Sequence, residues 1–198
     1  MKKKILVTGG TGYIGSHTAV ELIEDGFDVV IIDNLYNSEA EVIDRICQIT
    51  GVKPELAVFN LCDREKLKAF FEKHNEIAGI IHFAAYKAVG ESVSKPLDYY
   101  RNNLLSLINL LESMKTFGIP DFVFSSSCTV YGQPEKLPVS EDAPIQPAVS
   151  PYGNTKQIGE EIIRDTVAAD KKIEAIALRY FNPIGAHPSA LIGELPRG

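Results

Sequence analysis

The sequence predicts a doubly wound α/β fold built on a parallel sheet, and three observations carry that prediction. Short apolar runs rich in β-branched residues alternate with longer segments of helical period along the chain. The runs are apolar on both faces, as in Ile80-Ile81-His82-Phe83, which suits strands buried between two helical layers. A glycine-rich turn closes the first run and opens the first helical segment.

In chain order, strands are expected at residues 4–7, 28–32, 55–59, 79–83, 121–124 and 173–178. Helices are expected at 13–25, 39–50, 63–74, 96–117 and 152–169. The first helix carries its apolar stripe on Ile14, Ala19, Val20, Leu22 and Ile23. Residues 129–151 break the rhythm with Pro134, Pro138, Pro144, Pro147 and Pro151 and no clear period. Proline lacks a ladder donor and disfavours helix in the residue before it, so a long loop is expected there. Loops of that length in compact domains are often functional. Beyond Phe181 the sequence turns irregular, and no further strand or helix is assigned.

With 198 residues, 45% hydrophobic and 23% charged, the chain has apolar material for a full core. The net charge of −6 argues against a binder of nucleic-acid backbones, which needs a basic face. Lys2-Lys3-Lys4 precedes only Ile5-Leu6-Val7 before the glycines, too short an apolar stretch for a secretory signal. No run approaches the roughly 18 apolar residues of a membrane span. Cys47, Cys62 and Cys128 fit no metal-ligand spacing and are expected as buried thiols, in keeping with a reducing, cytoplasmic setting. His17 and His82 are expected to pack, His74 and His187 suggest no shared metal, and no metal site is expected.

The glycine turn is Thr8-Gly9-Gly10-Thr11-Gly12-Tyr13-Ile14-Gly15. Gly9 permits a tight turn, Gly12 lets the backbone approach a pyrophosphate, and Gly15 allows close packing of helix on strand. The helix N-terminus offers unpaired N–H groups and a positive dipole end to phosphates. Asp33 closes the second strand 18 residues beyond Gly15. A carboxylate there accepts both ribose hydroxyls of adenosine and repels a 2′-phosphate, so NAD is favoured over NADP.

Tyr152 and Lys156 stand four apart at the start of a helix and project from one face. A tyrosine titrates near pH 10, and a neighbouring ammonium favours its phenolate, which would make it a usable base. The pair lies just beyond the fifth strand, whose run Phe122-Val123-Phe124 leads into Ser125-Ser126-Ser127. Ligands of open α/β sheets sit beyond the carboxyl ends of the strands, where this serine cluster falls. Ser127 can hydrogen-bond a sugar hydroxyl and help Tyr152 take its proton.

The glycine spacing of three and three resembles that of the extended short-chain dehydrogenase/reductases, which act on nucleotide sugars. Within that family the chain resembles the UDP-glucose 4-epimerases. The resemblance runs through residues 7–17, His82-Phe83-Ala84-Ala85, Lys87-Ala88-Val89-Gly90-Glu91-Ser92, Tyr99-Tyr100 with Asn102-Asn103, Ser125-Ser126-Ser127 and Ser150-Pro151-Tyr152-Gly153. It is closed by Arg179-Tyr180-Phe181-Asn182-Pro183 and Gly185-Ala186-His187-Pro188-Ser189.

That resemblance implies a Rossmann-type domain over residues 1–181, with residues 182–198 beginning a substrate domain that the chain does not complete. It implies that NAD is surrounded by Tyr13, Ile14, Asp33, Asn34, Leu35, Tyr36, Asn37, Ser38, Asn60, Leu61, Phe83, Ala84, Ala85 and Lys87. Asn102, Ser127, Tyr152, Lys156 and Phe181 complete the shell. Asn182, together with Lys87, Ser127 and Tyr152, would reach the UDP-sugar. Asn60 stands where an aspartate is usual in the family. Its carbonyl oxygen can still accept from an adenine amine, so weaker binding at most is expected.

The chemistry implied is interconversion of UDP-galactose and UDP-glucose through a 4-keto intermediate with resident NAD. Tyr152 would take the proton of the 4-hydroxyl, Lys156 hold the nicotinamide ribose and Ser127 steady the forming carbonyl. A related 4,6-dehydratase would carry an Asp-Glu pair where Cys128-Thr129 stands, which argues against dehydration. A non-catalytic NAD-binding module is the alternative. The helices at 96–117 and 152–169 are expected to form the bundle of a homodimer. Extra self-association, or a tail from Phe181 that covers the face normally met by the substrate domain, is also expected.

Overall fold

The computed structural model describes residues 2–194. Six parallel strands, β1 (Lys4–Thr8), β2 (Asp28–Asp33), β3 (Glu55–Val58), β4 (Ile77–His82), β5 (Asp121–Ser127) and β6 (Glu174–Tyr180), lie in the order β3-β2-β1-β4-β5-β6. The order reverses at β1, between β2 and β4, which is where a doubly wound sheet opens its crevice. Helices α1 (Tyr13–Glu24), α2 (Val42–Thr50), α3 (Arg64–Lys73), α4 (Val89–Ser94), α5 (Pro96–Phe117) and α6 (Pro151–Ala169) connect them. The doubly wound parallel fold expected from the sequence is thus the fold observed.

Alternate strand residues feed two cores, with β1 and β2 contributing buried residues to both. Leu6, Val30, Ile32, Ile80, Phe122 and Phe124 pack with residues of α3, α5 and α6. Val7, Val29 and Ile31 pack with α1 and α2. The second face is clothed unevenly. Val7, Ile81, Val123 and Ile176 stand abreast on four strands. Val7 is fully buried under α1, Ile81 and Val123 are half-buried, and Ile176 is 60% exposed.

Helix boundaries follow local chemistry. Ser150 caps α6 by accepting from the Gly153 N–H, and Pro151 occupies the first turn, where its missing donor costs nothing. Pro96 starts α5 in the same way, and Gly118 at φ 71° ends it. Two differences from the sequence reading have physical causes. The helix expected from residue 39 begins at Val42, because the preceding turn is closed by tighter i to i−3 bonds, Val42 N–H to Glu39 O and Ile43 N–H to Ala40 O. The six-residue α4 was not expected, being too short to show a period. The proline-rich loop also opens with a single 3₁₀ turn, Cys128–Tyr131.

Beyond β6 the tail runs back to α1. The Tyr13 hydroxyl donates to the Gly185 carbonyl at 2.7 Å, Ala186 bridges Gly193, and Ile192 is buried in the core beside α1. Residues 182–194 therefore pack against α1 and leave Ile176 and Leu178 of β6 exposed. The remainder of the expected second domain, 195–198, lies outside the described residues. Among the described residues, no helix is long and apolar enough to cross a membrane.

Candidate active site

A cleft of about 1470 Å³ opens over the carboxyl ends of the strands at the β1 switch point. Its floor is the glycine turn. Gly9 has φ 70°, and a Cβ there would stand 2.7 Å from the Ala84 backbone nitrogen. A Cβ on Gly15 would run into the Gly9 carbonyl and stand 2.8 Å from the Gly10 Cα. Gly10, to which the sequence reading gave no role, presses on Ile31, 2.7 Å from where its Cβ would be. Gly12 precedes α1 with no side chain capping the first turn, so the helix presents its leading N–H groups to the cleft.

Asp33 forms the next wall. One carboxylate oxygen accepts from the Thr11 N–H at 3.2 Å, and the other from the Leu35 N–H at 2.9 Å and the Ser38 hydroxyl at 3.2 Å. Asn34, Tyr36, Asn37, Ser38, Asn60, Leu61, Phe83, Ala84, Ala85, Lys87 and Asn102 line the same cleft. Leu35 does not: at φ 58° it shapes the turn and ties it to Asp33 by its N–H, and its side chain is not on the wall. The Asn60 carbonyl oxygen already accepts from the Cys62 N–H at 2.8 Å, which leaves one lone pair for another donor.

Tyr152, Lys156 and Ser127 meet at the other end, with Phe181 and Asn182 beside them. Ser127 is buried at the end of β5 and its oxygen accepts from the Thr129 N–H and hydroxyl. Burial holds the Tyr152 phenol above its usual range, and a hydrogen bond with Ser127 works in the opposite sense. The lowering expected from Lys156 is not found, and the geometry gives the reason. The Lys156 amine donates to the Ser125 carbonyl at 2.6 Å and lies over the Phe124 ring, 5.8 Å from the Tyr152 centroid. Its own pKa is drawn down to about 8 by burial. Lys87, expected near cofactor and sugar, pairs with Glu194 at 3.1 Å.

The sequence reading missed the support behind this cluster. Glu160 lies one turn beyond Lys156 and takes a bidentate pair from Arg179 of β6 at 3.0 and 2.8 Å. It also accepts from the Ser126 hydroxyl at 2.5 Å, while Arg179 donates to the Tyr131 hydroxyl at 3.0 Å. The repeat Tyr152, Lys156, Glu160 at i, i+4 and i+8 was a signal that could have been read. His82 does pack as expected, fully buried against Thr8 at 2.7 Å with its pKa lowered to about 3, chiefly by burial. The cysteines are half-buried instead of buried, and Cys128 lies on the cleft wall.

A family profile described as the NAD dependent epimerase/dehydratase family matches residues 5–195. The chain belongs to that family. It is 53% identical over 98% of its length to the UDP-glucose 4-epimerase of Bacillus subtilis (strain 168), and 50% identical over its full length to that of Homo sapiens. The chain spans 57% and 58% of those two relatives. Among solved structures, the Bifidobacterium longum UDP-glucose 4-epimerase in complex with NAD+ and UDP superposes with a TM-score of 0.96 at 45% identity. That match covers 99% of this chain and 58% of the other. The Stenotrophomonas maltophila enzyme, with bound NAD and formylated UDP-arabinopyranose, gives 0.94 at 47% identity, with 99% and 58% covered.

Proposed function

We propose that the chain is the NAD-binding and catalytic part of a UDP-glucose 4-epimerase, interconverting UDP-galactose and UDP-glucose. The convergence of Tyr152, Lys156 and Ser127 on the cleft that the glycine turn floors is the observation that carries this reading. The cleft fits NAD on its own evidence. The absence of side chains at Gly9 and Gly15 lets the turn close tightly on its neighbouring backbone, α1 enters the cleft uncapped, and Asp33 offers a carboxylate to a ribose. The bound NAD and UDP ligands of the related structures support the same assignment.

The chemistry that NAD supplies when bound is reversible hydride transfer at the sugar C4. Tyr152 takes and returns the proton of the 4-hydroxyl, and Ser127, in hydrogen-bond contact with the phenol, steadies the oxygen as it becomes a carbonyl. Burial opposes ionisation of Tyr152, so its work as a base depends on positive charge beside it. Lys156, protonated and turned from the Ser125 carbonyl towards Tyr152, would supply that charge and hold the nicotinamide ribose. Asn182 and Lys87 face the UDP-sugar. Cys128 and Thr129 follow Ser127 and neither protonates a leaving hydroxyl well, which favours epimerisation over dehydration.

The test is to supply UDP-galactose and NAD to the purified protein and follow UDP-glucose. Turnover is expected, and Tyr152→Phe is expected to lower it by about 10²–10⁴-fold with NAD still bound. Absence of turnover in the unaltered protein with NAD retained would restrict its function to binding the cofactor.

A homodimer through α5 and α6 belongs to the same reading. The two helices pack on each other, joined by Asn154 donating to the Tyr100 hydroxyl at 2.7 Å, and α5 leaves Leu97, Leu105 and Ile108 exposed. Sedimentation equilibrium should report a dimer that Ile108→Glu converts to monomer. An unchanged mass in that variant places the contact elsewhere.

A further inference from the structure

Tyr36 and Tyr86 stand on opposite banks of the cleft. Tyr36 follows β2 and Tyr86 follows β4, two strands that are separated by β1 and its glycine turn. Their rings nevertheless meet, with centroids 4.8 Å apart at 36°. Both line the main cleft, and both also line a smaller neighbouring pocket of about 400 Å³, so the pair is a wall common to the two.

The two jaws are built differently. Tyr86 is fixed from behind. The Asn103 side chain accepts from its N–H at 2.8 Å and donates to its carbonyl at 3.0 Å, and the same amide donates to Thr155 of α6 at 3.2 Å. The Tyr86 ring rests edge-on against Tyr99, which is 1% exposed and donates its hydroxyl to Glu91 at 2.9 Å. Tyr36 is held by its backbone turn, where its N–H donates to the Asn34 side chain at 3.0 Å, and by the ring contact itself, and its residue is 51% exposed. Rotation of one side chain is therefore enough to open the contact, while the opposing ring stays in place.

We infer that Tyr36 and Tyr86 form an aromatic strap across the adenosine end of the cleft and retard release of the dinucleotide bound beneath it. The inference rests on the cofactor reading above. Asp33, three residues before Tyr36, marks that end as the ribose end, and Asn60 and Asn102 line the same cleft and the smaller pocket beside it. A nucleoside seated there meets an aromatic lid, which has to part before the nucleoside can leave. The strap thus assigns to two side chains the retention that a resident cofactor needs.

The test loads the 198-residue protein with NADH and chases it with excess NAD, following the loss of bound-NADH fluorescence. Tyr36→Ala is expected to release NADH about three- to tenfold faster, the range in which single aromatic contacts fall. Tyr36→Phe, which keeps the ring, should release at the original rate. Tyr86→Leu should match Tyr36→Ala, and the double variant should be no faster than either, because each single change already parts the strap. Release from Tyr36→Ala at the original rate, or accelerations that multiply in the double variant, would overturn the strap alone. Failure of the unaltered protein to bind NADH would overturn the cofactor reading and the strap with it.

Discussion

The two ends of the cleft achieve their purposes by opposite means. At the glycine end the working parts are backbone. Side chains are excluded at Gly9, Gly10 and Gly15, and α1 is left without a cap. At the tyrosine end the working parts are buried titratable groups, with Lys156 drawn to about 8 and the Arg179–Glu160 pair braced between β6 and α6. One end depends on what is missing and the other on what is enclosed. Shape can be spoiled by adding a single carbon, whereas enclosure is spoiled by removing a partner.

The sharpest way to break this contrast is Gly15→Ala. The added methyl meets backbone that cannot give way, so a loss of about 3 kcal/mol of stability and of NAD binding is expected. Gly90→Ala, which meets nothing within 4 Å, should leave both intact. Thermal melts and NADH titration of the two variants decide it, and unimpaired NADH binding by Gly15→Ala would remove the argument from shape.

Next in size is Arg179→Met, which strands the Glu160 carboxylate with the Ser126 hydroxyl. Its partners are partly screened, so about 2–3 kcal/mol is expected in urea unfolding. Lys53→Met removes a single-contact ion pair in full solvent and should leave the urea midpoint unchanged.

Lys156 sharpens the contrast through pH. Its folded pKa of about 8 lies below the ordinary lysine value of 10.5, so between those two values the unfolded chain holds a proton that the folded chain has given up. Stability therefore rises with pH across that window by about 3 kcal/mol from this group, and is flat from it below the window. Lys156→Met should lose that rise and be the more stable protein at pH 7. Parallel pH profiles for the two proteins would contradict the enclosure of the amine. His82 has the same sign at lower pH. Kept neutral in the fold with its pKa near 3, it lends stability that is fully present above 6.5 and declines as acid is added.

The smallest effect belongs to Asn60→Asp. With one lone pair of the amide oxygen already engaged by Cys62, a carboxylate should tighten NADH by less than about tenfold, read by titration.

How much could be read in advance follows the same division. The strands, the glycine turn and Asp33 were legible because each answers to a local rule: apolar runs, φ above zero, a carboxylate after the second strand. The expected cofactor residues line the cleft apart from Leu35, which at φ 58° shapes the turn that carries its neighbours there. Glu160 and Arg179 stayed hidden because their pairing joins a helix to a strand 19 residues on. The elevated Tyr152 pKa was also out of reach, since it depends on burial and on where the Lys156 amine points, and spacing specifies neither. The path of the tail turned on Ile192, one apolar residue in an irregular stretch without periodicity.

The uneven clothing of the sheet has a thermodynamic consequence. Heat capacity rises on unfolding because apolar surface enters water, typically by about 12–15 cal/mol/K per residue. The exposed end of the Val7–Ile81–Val123–Ile176 row, together with Leu178 at 40% exposed, has already made part of that transfer in the native state. The molecule's increment therefore falls short of that of a sheet covered on both faces. Its stability curve is correspondingly flatter, so cooling and warming about the optimum change its folding free energy less.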